Sequence, residues 1–126
     1  MTEVFPDIEI YIKNPEPESL LEWLSVHFDI VATQQKSKAT HYQLVHDGSE
    51  LKAILMPEAV KGKFASLWFT SNNTPWASDM ECARDAFQQL DKEVRCSLGS
   101  WEPCDSEDEL WLRINEAGEK KIRWNT

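Results

Sequence analysis

The sequence predicts an α+β fold: two βαβββ modules forming a curved, mixed or antiparallel sheet with helices on its outer side. Three observations carry this prediction. Apolar residues alternate at period two in Ile8, Ile10 and Ile12, with Asp7, Glu9, Tyr11 and Lys13 between them. Apolar residues recur at helical spacing in Leu20, Leu21, Leu24 and Phe28, and again in Met80, Ala83, Phe87 and Leu90. The order strand, helix, three strands occurs twice, over residues 5–57 and 64–125, with a linker at 57–63. At 126 residues the chain suits a single domain. Within it, two units bury together the faces that neither can bury alone.

The first strand is expected over Asp7 to Lys13, one face apolar and the other polar. Asn14-Pro15-Glu16-Pro17-Glu18 then starts a helix, because Asn caps, proline is tolerated in a first turn and acids suit the positive helix end. Strands follow near Asp29 to Thr33, Ala39 to His46 and Glu50 to Met56, the last two joined by a turn at Asp47-Gly48-Ser49. In the second half, Phe64 to Ser71 is a strand and Ser78-x-x-Glu81 a capping box for a second helix. A strand from Glu93 to Leu98 comes next. The polar stretch from Gly99 to Asp108 reads as a loop before a final hairpin, Glu109 to Ile114 and Lys120 to Trp124, turning at Gly118.

Composition excludes several function classes. A hydrophobic share of 41% and a charged share of 28% are globular values, and no apolar run nears the ~18 residues that cross a bilayer, so no membrane partner is expected. Met1 to Phe5 lacks the basic start and apolar stretch of a secretion signal, which points to the cytosol. With 13 Lys plus Arg against 22 Asp plus Glu, the net charge of -9 repels phosphate backbones and argues against nucleic acid. Cys82, Cys96 and Cys104 are odd in number and lack a C-x-x-C pair, so free thiols are expected. His41 and His46 fall on opposite faces of one strand and make a poor metal pair.

Strand, helix, three strands, twice over, resembles the vicinal oxygen chelate superfamily of glyoxalase and bleomycin-resistance-like proteins. Ser19-Leu-Leu-Glu-Trp23 looks like that family's first-helix motif, and Glu116-Ala-Gly-Glu-Lys-Lys-Ile-Arg-Trp124 like its closing hairpin. The resemblance implies a cup with a ligand in its concave interior, often completed in a homodimer. The family's enzymes hold a divalent metal with His, Gln or Glu, whereas here Lys52 and Arg123 fall about where metal-binding glutamates would lie. Cations repel a metal ion, so this departure from the family's pattern leads us to expect no metal and no cofactor, and a cup that binds without transforming. Ferredoxin-like and TATA-binding-protein-like α+β folds remain alternatives.

Alternation puts Glu9, Tyr11 and Trp68 on the face opposite Ile8, Ile10, Ile12, Leu67 and Phe69. The closing strands add Lys52, Trp111 or Arg113, and Arg123. Together these residues are candidates for an aromatic-walled, mixed-charge cleft suited to a planar or amphipathic small molecule. The competing reading has Glu9, Lys52 and Arg123 neutralising one another in a filled interior. The leading function is small-molecule binding. One alternative is an enzyme of the same fold using Glu9 as a base. The other is a protein-interaction module using Trp76 and Trp101, which sit beside prolines in loops; Trp23 and Trp124 are expected in the core.

Overall fold

The computed structural model describes residues 7–60, 64–71, 73–97 and 110–123. The first half comprises β1 (Ile8–Lys13), α1 (Pro17–His27), β2 (Asp29–Lys36), β3 (Ala39–His46) and β4 (Ser49–Val60). The second comprises β5 (Phe64–Phe69), α2 (Asp79–Leu90), β6 (Val94–Ser97), β7 (Leu110–Asn115) and β8 (Gly118–Arg123). The α+β class is as expected, and the strands form one open antiparallel sheet in the order β2-β3-β4-β5-β1-β6-β7-β8.

Local chemistry explains most boundaries. Asp47 and Gly48 both take positive φ, 51° and 81°, the conformation that lets a two-residue turn follow the twist of β3 and β4. Ser78 caps α2, its hydroxyl accepting from the Glu81 N–H at 3.4 Å. At α1 the cap differs from expectation: Glu16 is the N-cap, Pro17 lies in the first turn, and Asn14 sits in the left-handed region at φ 47°. The linker expected at 57–63 is corrected as well, because β4 runs on to Val60 past a register shift after Met56. Trp101, Trp124, Cys104 and the acidic stretch 102–109 lie outside the described residues.

Although the order of elements repeats along the chain, their order in space does not. In the first half the strand after the helix, β2, is the sheet edge and β4 lies inside; in the second, β6 lies inside and β8 is the edge. Strand β1 pairs with β5 and β6, both from the other half.

One face of the sheet carries the core. Ile8, Ile10 and Ile12 are fully buried, with Leu44, Ala53, Leu67, Phe69, Val94 and Cys96 in the same layer, and Leu20, Trp23 and Leu24 of α1 and Cys82, Ala83 and Ala86 of α2 close over it. Burial holds both described thiols protonated, pushing Cys96 up to about 12 and Cys82 well above its usual value. Neither suits nucleophilic work.

Where the helices meet, aromatic rings gather round one carboxylate. Trp23 and Trp76 stack at 5.3 Å between centroids, and Phe28 and Phe69 stack beside them at 5.6 Å. Asp85 of α2 accepts from Trp23 Nε1 at 3.3 Å, Trp76 Nε1 at 2.9 Å and His27 Nε2 at 2.9 Å. Trp76 is therefore a core residue, only 5% exposed, which counts against the alternative that places it at an interface or lid. The chain needs it there because an indole gives area and a donor together, and Asp85 supplies the acceptor.

Removing that acceptor leaves two indole N–H groups without a partner in a mostly apolar setting. Asp85→Ala is expected to lower unfolding stability by about 2–4 kcal/mol, and Asp85→Asn by less. Urea denaturation checks this; an Asp85→Ala loss below about 1 kcal/mol would contradict the bonding described.

Candidate functional site

The sheet face opposite the helices carries most of the residues expected from the sequence. Glu9 pairs with Trp68, which pairs with Ile54, and that row crosses β1, β5 and β4. Tyr11 pairs with Ser66 on one side and Arg95 on the other, and the row continues through Arg113 to Lys120. Trp111 lies two residues along β7 from Arg113. Its ring meets Tyr11 edge to face at 5.4 Å, reaching over β6 at the small Ser97. Lys52 lies on β4 opposite Gln43, above a shallow hollow with Gln34 and His41.

Glu9, Tyr11, Lys52, Trp68, Trp111 and Arg113 share this face without converging on one point, whereas Arg123, expected with them, pairs with Leu110 in the register of the core-facing Leu112 and Ile114 and so takes a position on the other face. Lys52 and Arg123 stand on the third and eighth strands, about 24 Å apart along the sheet at the usual strand spacing. Arg123 ends β8 opposite Leu110, and its side chain lies outside the described ones. The three ion pairs among the described residues, His27–Asp85, Arg84–Glu119 and Arg95–Glu93, involve neither Glu9 nor Lys52, so those two charges do not neutralise each other. Among the described residues no three His, Cys, Asp or Glu side chains stand close enough to share a metal ion.

Around Glu9 the carboxylates are tied into the fold. Ser66 Oγ donates to Glu9 Oε2 at 3.1 Å, and Trp68 Nε1 donates to Asp7 Oδ2 at 2.8 Å. The Glu9 backbone N–H donates to Asp79 Oδ1 at 3.1 Å. That bond has a topological cause: β6 pairs with β1 only at Tyr11 and Ile12, so a side chain takes the acceptor's place at Glu9. Burial raises Asp79 to about 6, the Glu9 N–H opposing it and the charges of Asp7 and Glu9 adding to it.

Toward β8 the face turns basic. Arg95 pairs with Glu93 at 2.8 Å and lies over the Phe64 ring, 4.6 Å from its centroid. Arg113 forms no ion pair among the described residues, and its Nε is buried without a hydrogen-bond partner. Such an orphaned donor costs about 1–3 kcal/mol, and like charges facing each other across strands add to it.

A cavity lies on the other side of the sheet, at the start of α1. It has a volume of about 530 Å³, within the range of small-molecule sites. Tyr42, Leu55 and Ala65 belong to the core-facing rows of β3, β4 and β5; Thr33, Gln35 and Thr40 line one side and Asn14, Pro15, Pro17 and Leu21 the other. Asn14 in the left-handed region, Pro15 and the extended Glu16 carry the chain from β1 into α1, whose first turn contributes Pro17 and Leu21 to the cavity wall. Tyr42 is 4% exposed, its hydroxyl has no hydrogen-bond partner among the described residues, and burial pushes its phenol above the ordinary value, keeping it a donor. Alternation along β3 sets Tyr42 on the face opposite His41 and Gln43. The only further signal in the sequence is a polar-tipped aromatic in an otherwise apolar row, Tyr42 before Leu44.

The Asp79 shift has a sign that solution measurements read directly. A carboxyl raised from 3.8 to about 6 on folding adds stability that is full below its unfolded value and lost as pH rises through its folded one. Asp79→Asn is therefore expected to be more stable than the wild type at pH 7 to 8, the gap narrowing as pH falls through about 6 toward 4. Thermal midpoints across that range check it; a gap that stays constant, or one that widens toward acid, removes the assignment. No family model, curated protein or solved structure matches this chain.

Proposed function

We propose that this chain is a small-molecule-binding protein working without a metal, and that its ligand is uncharged and amphipathic and lies in the cleft between α1 and the β2–β5 part of the sheet. The observation that carries the reading is Tyr42, a buried phenol whose hydroxyl makes no hydrogen bond among the described residues and which borders a cavity of about 530 Å³. A donor in that position gains about 1 kcal/mol or more from an acceptor on a ligand. Apart from the Tyr42 phenol, none of the described lining side chains is ionisable, which favours a neutral ligand and offers neither general base nor activated nucleophile. Prolines, Leu21, Leu55 and Ala65 supply apolar contact, while Asn14, Thr33 and Gln35 supply orientation. A binding role without chemistry agrees with the glyoxalase and bleomycin-resistance-like resemblance, although the ligand then sits on the helix side of the sheet.

Protein-observed NMR with a panel of uncharged, ring-bearing fragments that carry a carbonyl tests this. Binders are expected to shift Tyr42, Leu55 and Ala65 resonances saturably, Tyr42→Phe to weaken them about tenfold and Ala65→Leu, which fills the floor, to abolish them. The reading fails if no fragment moves these resonances at millimolar concentration, or if Ala65→Leu binds like the wild type.

A further inference from the structure

We propose that the helix-free face holds a second site, where Arg113 and Lys120 take the carboxylate or phosphate group of a small molecule. The two are direct cross-strand partners on β7 and β8, and Arg113 in turn faces Arg95 on β6. Three cations thus stand side by side across three strands, an arrangement that repels itself unless a negative charge comes between them. The carboxylate that answers Arg95, Glu93, is already engaged: Arg95 Nη2 reaches it at 2.8 Å and Asn115 Nδ2 donates to it at 3.2 Å. Arg113 has no such partner among the described residues, where its buried Nε makes no hydrogen bond. Guanidinium and ammonium side by side present a fork and a point charge, which together match the oxygens of one carboxylate or phosphate. Tyr11 and Trp111, ring to ring at 5.4 Å, border the site on the β1 side.

The size of the ligand follows from the rest of the surface. With a net charge of -9 the chain is acidic overall, so a polyanion reaching beyond this row would meet repulsion over most of its length. A molecule with a single oxyanion group feels mainly the cations within one screening length. The site is independent of the neutral cleft, on the other face of the sheet.

Arginine Nε–Hε NMR during titration with inorganic phosphate, and separately with acetate, tests the proposal, with chloride at equal ionic strength as the blank. The Arg113 cross-peak is expected to move and saturate at low-millimolar phosphate. Arg113→Lys keeps the charge without the Nε and is expected to weaken binding about tenfold, and Lys120→Gln several-fold. Tyr42→Phe should leave it unchanged, which separates this site from the cleft. Should Arg113→Lys fail to fold, Lys120→Gln gives the same reading alone. A shift that grows linearly as with chloride, phosphate affinity unaltered in the substituted proteins, or a single-stranded oligonucleotide binding this face more tightly than phosphate would each overturn it.

Discussion

Strand β1 is the constraint on which the rest of this structure depends. It joins β5 to β6 and so holds the β2–β5 and β6–β8 parts as one sheet. Its even-numbered residues, Ile8, Ile10 and Ile12, are wholly buried beneath both helices, and its odd-numbered ones put Glu9 and Tyr11 on the opposite face. Its pairing with β6 covers only Tyr11 and Ile12, and the shortfall is met by the Asp79 carboxylate and by the Glu93 carbonyl, which accepts from the Lys13 N–H at 2.9 Å. A buried carboxyl is an expensive acceptor, and its raised protonation range reflects that cost.

The helices are locked to each other by different means. Asp85 gathers donors from Trp23 and His27 of α1 and from Trp76 in the loop before α2, and so ties α1 to α2. The cleft lies at the start of α1, where prolines border it, and the aromatic cluster lies at the other end of the helix. A pocket largely formed before a ligand arrives limits the entropy lost on binding.

Much of this was legible in the residues. Period two in β1 and β5 and period 3.6 in the helices marked the elements, and Asp47-Gly48 and Ser78-x-x-Glu81 marked their joints. The helix-free placement of Glu9, Tyr11, Lys52, Trp68, Trp111 and Arg113 follows from alternation alone. Pairing order does not, because β2 and β6 have equivalent places along the chain and opposite places in the sheet. Equating Lys52 with Arg123 assumed that equivalence, so it brought together positions that the sheet holds apart. The place of Trp76 was not legible because a tryptophan beside a proline gives no sign of Asp85, nine residues on, waiting to accept its N–H. Tyr42 was passed over because a cavity is a property of how α1 and the sheet pack together, which no single residue announces.

The crossing of halves at β1 also bears on how the chain acquires its shape. Glu9 finds its partner at Trp68 and Tyr11 finds one at Arg95, so the first strand made is among the last to gain neighbours. A chain synthesised through β4 holds β1 as an unpaired, isoleucine-rich strand, because both strands that pair with it come later. Closing loops of that length is slow, and exposed strands invite pairing with other chains meanwhile. Acidic side chains lie close to that strand, Glu9 within it and Glu16, Glu18 and Glu22 just after it, and like charge opposes such pairing between copies.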